Sequence, residues 1–267
     1  MARTKDGTTY EITGPQGAAW VVLIHGLGLT HASTWGGIAP TLAQEFQILS
    51  YDLLGHGETD LPSGRVDLKR LGQQVVDLMD ELSIDRAALV GFSLGGMINR
   101  RVAIDHPSRV SALGILNAPH ERGEKQQRLV EERARASSAE GPSANIDTTL
   151  ARWFTPDFRV HSSQQVAALR DIVVANDPKN YAIHRQILAE GVTELIRPTP
   201  ALKQPSLIMT CQNDSGSTPA MSQAIAQEIM DSELSILPKL QHLGLLEDPN
   251  AFAGPLLAFL RSKLPEG

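Results

Sequence analysis

The 267-residue sequence predicts an α/β fold built on a parallel β-sheet, and three observations support this. Short apolar runs such as residues 20–24 and 87–90 are typical of strands buried on both faces of a sheet. Amphipathic segments separate these runs, which indicates right-handed βαβ units with helices on both faces. The alternation stops near residue 120 and resumes after Pro205. We therefore expect one doubly wound, mostly parallel sheet that is interrupted once by a helical cap.

The order of elements follows from these runs. Between residues 67 and 82, apolar side chains recur at helical spacing and Asp67 stands where an N-cap is expected. The predicted strands are 20–24, 46–51, 87–90, 110–116, 206–210 and 234–237, and the predicted core helices are 67–82, 94–104, 219–229 and 252–260.

The interruption divides the chain into three predicted parts. Residues 1–119 form the first part of the core, residues 120–200 the helical cap, and residues 201–267 the second part of the core. Residues 121–139 are highly charged and helix-prone with few apolar anchors. No strand-like run occurs in the cap segment, so we expect helices lying over one end of the sheet.

Composition narrows the class of protein. The formal net charge of −6 and the absence of a Lys/Arg-rich run argue against nucleic acid as a partner. One cysteine, Cys211, excludes an intrachain disulfide. The first residues lack the apolar stretch of a signal peptide, and the longest apolar runs are too short to cross a bilayer. We expect a cytoplasmic protein that acts on a small molecule, without a membrane partner; the oligomeric state is left open.

Gly91-Phe92-Ser93-Leu94-Gly95 matches the pattern G-x-S-x-G, directly after a predicted strand and before a predicted helix. A serine at so sharp a turn projects its hydroxyl away from the sheet, and flanking glycines avoid a clash. Its position at a helix N-terminus favours developing negative charge. We predict that Ser93 is a nucleophile; the alternative is a glycine-rich turn whose serine only caps the helix.

A serine hydroxyl needs a base, and the base needs an orienting carboxylate. His242 lies in the loop after the last predicted strand, at the same sheet edge as Ser93. Asp214 follows the strand 206–210 at that edge, whereas the strand 110–116 is followed by Asn117 and not by an acid. We predict His242 as general base and Asp214 as its partner; a surface histidine and an Asx-turn aspartate are the alternatives.

A tetrahedral oxyanion needs fixed N–H donors. We expect one from the backbone of Leu94, next to the nucleophile. The turn His25-Gly26-Leu27-Gly28 would supply the second, from Leu27. A plain glycine-rich connection is the alternative for this turn.

These segments together resemble the α/β-hydrolase superfamily. The resemblance covers His25 to Gly28, the segment Asp52 to Thr59, the turn Gly91 to Gly96, Asn213-Asp214 with Pro219, and His242-Leu243-Gly244 with Glu247, Pro249 and Phe252. It implies a mostly parallel, doubly wound sheet with a helical cap inserted after the sixth strand, and the chain order Ser93, Asp214, His242. Within the superfamily, length and the segment Leu150 to Thr155 are most similar to 3-oxoadipate enol-lactonase-like esterases and lactonases. Gln241 departs from the pattern, since glycine is common there.

The reaction that the resemblance implies is hydrolysis of a small ester or lactone through an acyl-enzyme, with no metal and no organic cofactor. Trp153 is a candidate pocket wall, with anchoring of the cap as its alternative. Arg133 and Arg152 are candidates to clamp a substrate carboxylate. Two alternatives use the same triad: a carbon–carbon bond hydrolase of a vinylogous diketone, and a small-ligand binding protein with little turnover.

Overall fold

A single mixed sheet organises the part of the chain that the computed structural model describes, residues 1–136 and 141–264. Its eight strands lie in the order β1-β2-β4-β3-β5-β6-β7-β8, and from β4 onward along this order all neighbours are parallel. The strands are β1 (Ala2–Arg3), β2 (Thr9–Thr13), β3 (Trp20–Ile24), β4 (Gln47–Tyr51), β5 (Ala87–Phe92), β6 (Val110–Leu116), β7 (Ser206–Cys211) and β8 (Ser232–Leu237).

Helices connect the strands across both faces of the sheet. In the described residues they are α1 (His31–Trp35), α2 (Ala39–Leu42), α3 (Leu68–Glu81), α4 (Leu94–Asp105), α5 (Glu124–Ala136), α6 (Ile146–Trp153), α7 (Pro156–His161), α8 (Ser163–Val174), α9 (Pro178–Glu190), α10 (Pro219–Glu228), α11 (Gly244–Glu247) and α12 (Pro249–Lys263). Asp67 caps α3 as predicted, because its side chain accepts a hydrogen bond from the backbone N–H of Arg70 at 2.9 Å.

The predicted doubly wound α/β fold is confirmed, and each predicted strand is present with its ends within two residues of the expected positions. The sequence patterns did not predict the antiparallel pair β1 and β2, which extends the sheet beyond β4. β2 reads Thr-Tyr-Glu-Ile-Thr, and most of its residues are exposed. An antiparallel strand that is largely exposed lacks the continuous apolar run that identifies buried parallel strands.

Alternate side chains of the central strands point to opposite faces, so the sheet has a core on each side. Along β3, Val22 and Ile24 join the cluster that contains the buried side chains of α3 and α4. Val21 and Leu23 join the opposite cluster, which contains side chains of α12 and of the cap helices α6 and α8. Burial on both faces explains why these strands are continuously apolar.

Helices α5 to α9 all lie between β6 and β7, as the predicted cap requires, and no strand occurs among the described residues of this segment. Of the helix-prone stretch 121–139, α5 covers Glu124–Ala136, while residues 137–139 lie outside the described residues, as do residues 265–267 of the predicted second core part. The division at residues 119 and 200 stays a prediction. None of the helices in the described ranges is long and apolar enough to cross a membrane.

Candidate functional site

Ser93 lies on a strained turn between β5 and α4. Its backbone has φ 54° and ψ −111°, a conformation that non-glycine residues rarely adopt. A Cβ atom at Gly91 would lie 2.1 Å from the carbonyl oxygen of Gly95, and one at Gly95 would lie 2.1 Å from that of Ile24. The Ser93 N–H donates to Leu116 O of β6 at 2.8 Å. The two glycines are therefore sterically required, and the sheet holds the turn.

Asp214 and His242 meet at the carboxyl edge of the same sheet. Asp214 Oδ2 accepts a hydrogen bond from His242 Nδ1 at 2.6 Å, although the two residues belong to different loops. Asp214 is 2% exposed and follows β7, while His242 follows β8. The contact fixes the imidazole with its proton on Nδ1, which leaves Nε2 able to accept a proton.

Three further donors surround the Asp214 carboxylate. Asn117 Nδ2 donates to Oδ2 at 2.9 Å, and the backbone N–H groups of Gly216 and Ser217 donate to Oδ1 at 2.8 and 2.9 Å. Burial alone would raise the pKa of Asp214, but the neighbouring His242 and these hydrogen bonds outweigh it, so the pKa lies below the ordinary value. The carboxylate is therefore ionised at neutral pH.

Asn117 is a site residue whose role the sequence analysis missed. It directly follows β6, has φ 46°, and is fully buried. The sequence showed only that no acid stands at this strand end. A buried amide at the carboxyl edge of a central strand was the available signal, but its partner lies 97 residues later.

No hydrogen bond joins Ser93 Oγ to His242 within the described part of the chain. Such contacts are often long in unliganded enzymes and shorten in the complex with substrate. Two aromatic rings lie near the imidazole: the ring centroid of Phe92 lies 5.1 Å and that of Trp153 6.4 Å from the His242 centroid. The His242 side chain is 13% exposed, so solvent has little access to it.

The amide N–H groups of Leu27 and Leu94 donate no hydrogen bond to any residue in the described ranges. Leu94 opens α4 directly after Ser93, where helical N–H groups have no partner within the helix. The turn that contains Leu27 lies close to Ser93, because a Cβ added at Gly26 would be 3.3 Å from Ser93 Cβ. Both predicted oxyanion donors are thus unpaired N–H groups on segments next to Ser93.

Two buried histidines hold the turn His25–Gly28, here called the oxyanion loop after its predicted role. His25 Nδ1 donates to Gly26 O at 2.8 Å, and His25 Nε2 accepts from the Leu53 N–H at 2.9 Å. His56 Nε2 accepts from the Gly28 N–H at 3.0 Å. Burial lowers the pKa of His25 to about 4 and holds that of His56 well below its ordinary value. Both rings are therefore neutral at pH 7.

The cap is hydrogen-bonded to the loop that carries His242. The Leu243 N–H donates to Trp153 O at 2.9 Å, and Gln241 Nε2 donates to Ala151 O at 3.3 Å. Gln241, which departs from the family pattern, thus contacts the backbone of α6. The Thr155 hydroxyl and N–H also donate to Glu247 at 2.6 and 2.8 Å.

The other predicted site residues lie in the cap. Trp153 is half-buried with its ring near His242, as a pocket wall would be. Arg152 is exposed on α6, and Arg133 is exposed on α5, which packs against α9. Contact of these three residues with a substrate stays a prediction.

Cys211 is not a competing nucleophile. Its thiol is buried at the end of β7 against Gly244, and burial raises its pKa to about 12. The thiolate is the reactive form of cysteine, and this group remains protonated at neutral pH.

Comparison with known proteins agrees with this geometry. Residues 19–249 match the family model described as alpha/beta hydrolase fold. The chain is 29% identical to 3-oxoadipate enol-lactonase 2 of Acinetobacter baylyi over 224 residues, which cover 84% of this chain and 82% of the relative. It is 25% identical to pimeloyl-[acyl-carrier protein] methyl ester esterase of Nitrosospira multiformis, covering 90% and 94% of the two chains.

Among solved structures, the enol-lactonase from Burkholderia xenovorans LB400 superposes with a TM-score of 0.87 at 30% identity, covering 95% of this chain and 96% of that one. The resemblance to enol-lactonases is therefore confirmed across nearly the whole chain. This protein belongs to the α/β-hydrolase family of enzymes.

Proposed function

We propose that this enzyme is a serine hydrolase that cleaves a small ester or lactone, with Ser93 as nucleophile, His242 as general base and Asp214 as the residue that orients the base. The observation that carries the proposal is the 2.6 Å hydrogen bond from His242 Nδ1 to the buried Asp214, at the sheet edge where Ser93 projects from its turn. Two residues from separate loops are hydrogen-bonded there, at the sheet edge that also carries the strained turn of Ser93.

The reaction follows from these groups. His242 Nε2 takes the proton of Ser93 as Oγ attacks the carbonyl carbon, and the N–H groups of Leu27 and Leu94 stabilise the oxyanion. The intermediate collapses to an acyl-enzyme when His242 returns the proton to the leaving oxygen, which remains tethered to the acyl group if the substrate is a lactone. Water, deprotonated by His242, then attacks the acyl carbon, the bond from that carbon to Ser93 Oγ breaks, and His242 returns the proton to Oγ as the acid is released. Asp214 stays ionised and stabilises the imidazolium.

The named activities of the relatives support the substrate class. Enol-lactonases open a cyclic ester, and a methyl ester esterase cleaves an open one. No group in the proposed reaction needs a metal or an organic cofactor. We also propose that the enzyme works in the cytoplasm on a small molecule, without a nucleic-acid or membrane partner.

Positive charge in the cap is compatible with a carboxylate on the substrate. Arg152 and Arg185 lie close enough to Tyr181 that their charges lower its pKa against the larger effect of burial, which raises it. Tyr181 packs against Gly28 of the oxyanion loop. Of the two predicted clamps for a substrate carboxylate, Arg152 therefore lies on the side of the cap that faces Tyr181, whereas Arg133 lies on a different cap helix.

The test is active-site labelling with a fluorophosphonate, followed by peptide mapping, together with steady-state assays on an ester, an enol-lactone and a vinylogous diketone. We expect the label on Ser93, and turnover of the ester or the lactone. Ser93→Ala and His242→Ala should each lower kcat by about 10⁴-fold or more, with circular dichroism unchanged. A label on another residue of active protein contradicts the triad, and turnover of the diketone alone contradicts the substrate class.

A further inference from the structure

The oxyanion loop contacts the cap as well as the core. Asn176, which follows α8, donates from Nδ2 to Gly28 O at 2.9 Å. Tyr181 of α9 packs on the same glycine, because a Cβ at Gly28 would lie 2.8 Å from Tyr181 Cε2. The loop that carries the proposed donor Leu27 is therefore bound on one side by core histidines and on the other by the cap.

The loop has little intrinsic rigidity. Leu27 stands between two glycines, and Gly28 has φ 73°, a conformation that glycine adopts freely and leaves freely. Hydrogen bonds must therefore fix the peptide planes on either side of Leu27. His25 holds the carbonyl oxygen of Gly26, and since peptide units are planar this sets the direction of the Leu27 N–H. At Gly28, His56 holds the N–H and Asn176 holds the carbonyl oxygen.

We propose that Asn176 is a positioning residue for oxyanion stabilisation, through which the cap fixes the direction of the Leu27 N–H. The inference rests on the proposed function. Gly28 O belongs to the same planar peptide unit as the Leu29 N–H, which donates to Gly26 O at 3.3 Å. Without the amide of Asn176 this unit can rotate, the Leu29 N–H leaves Gly26 O, and the Gly26–Leu27 peptide is held by His25 alone. The N–H of Leu27 then points at the oxyanion for a smaller fraction of the time.

The Asn176 side chain is itself held in place. Its Nδ2 lies 3.0 Å from Ile172 O and 2.9 Å from Val173 O, two carbonyl groups at the C-terminal end of α8. The amide group therefore needs no reorganisation to contact Gly28. These contacts also stabilise the end of α8, so the test must separate cap stability from the effect on the oxyanion.

Asn176→Ala is compared with Gln127→Ala, a matched control in the same cap. Gln127 Nε2 donates to Ala189 O at 2.6 Å, which is also an amide-to-carbonyl contact but lies within the cap. For each variant we would measure kcat and KM on a p-nitrophenyl ester, the inhibition constant of an alkyl trifluoromethyl ketone, and Tm. The ketone forms an alkoxide on the serine and therefore reports on oxyanion binding.

For Asn176→Ala we expect kcat to fall about tenfold, less than the 10²–10³-fold typical of a donor that is removed outright. KM should stay within twofold, and the ketone should bind more weakly by the same factor as the fall in kcat. Gln127→Ala should leave kcat and ketone binding unchanged. If Asn176→Ala does not fold, Asn176→Asp replaces it, because Asp has the same shape without the N–H donor.

Two results would overturn the inference. One is an Asn176 variant whose kcat and ketone binding remain within twofold of wild type. The other is a loss of kcat and ketone binding that is equal in both variants and parallels the fall in Tm. Such a loss would report only on the stability of the cap. Fluorophosphonate labelling of the wild type distinguishes a failure of this inference from a failure of the proposed function. An unlabelled Ser93 refutes the triad, whereas a labelled Ser93 with an unaffected Asn176 variant refutes only the role of Asn176.

Discussion

The buried imidazole of His25 predicts a loss of stability in mild acid. His25 is fully buried, and both ring nitrogens are occupied: Nδ1 donates to Gly26 O, and Nε2 accepts from the Leu53 N–H. Nε2 also lies 3.9 Å from Asp52 Oδ1, and that charge favours the protonated ring. Burial has the larger effect and lowers the pKa of His25 to about 4, from 6.5 in the unfolded chain.

The direction of the effect follows from this difference. Because the folded state holds the neutral ring, the stabilisation is complete above pH 6.5 and is lost as the pH falls from 6.5 towards 4. At pH 5 the His25 ring is mostly protonated in the unfolded chain and mostly neutral in the folded chain. This difference lowers the free energy of unfolding by about 2 kcal/mol. Burial likewise lowers the pKa values of His56 and His184, whose rings stack edge-on with centroids 4.5 Å apart. Their contributions have the same sign.

Urea unfolding at pH 7.5, 6.5 and 5.0, followed by far-UV circular dichroism, measures this loss. Asp214 does not interfere, because a carboxyl group with a lowered pKa loses its stabilising contribution only below its ordinary value of 3.8. His25→Asn keeps a donor for Gly26 O but cannot titrate. The loss between pH 7.5 and 5.0 should therefore be smaller in His25→Asn than in wild type by about 2 kcal/mol.

His161→Asn is the control, since His161 is exposed on α7. It should show the same loss as wild type. The reasoning is refuted if wild type and His25→Asn lose equal free energy of unfolding between pH 7.5 and 5.0. A histidine NMR titration gives a second check, because the His25 ring signals should stay constant down to pH 5.

Three further predictions concern the site. Asp214→Asn should lower kcat on an ester by about 10³–10⁴-fold while the fold is kept, because the imidazole loses its orienting acceptor; steady-state kinetics at pH 7.5 would show this, and a kcat near wild type would contradict it. Asn117→Ala should lower the free energy of unfolding at pH 7.5 by about 1.5–3 kcal/mol, because a donor to a buried carboxylate is lost; urea denaturation measures it. Gly95→Ala should prevent folding or lower Tm sharply, because the new Cβ would lie 2.1 Å from Ile24 O, whereas Gly254→Ala in α12 meets nothing within 4 Å and should keep or raise Tm.

Local patterns in the sequence were sufficient to predict the parallel strands and the turn at Ser93. Strands buried on both faces must be apolar throughout, so β3 and β5 are visible as continuous runs. The glycines around Ser93 are visible because steric exclusion at the turn leaves no other residue type. That Asp214 and His242 lie close together follows from their positions after strands, since parallel strands end at one edge.

Contacts between distant segments could not be predicted in this way. Asn117 donates to Asp214 across 97 residues and Asn176 donates to Gly28 across 148, and neither asparagine belongs to a periodic pattern. The exposed hairpin of β1 and β2 is held by pairing with β4, and its own sequence carries no strong signal. A sequence determines which residues prefer a strand, a turn or a buried face, because these preferences are local. Only the folded chain decides which polar groups meet, because a hydrogen bond depends on distances and angles that the packing of the whole sheet and cap determines.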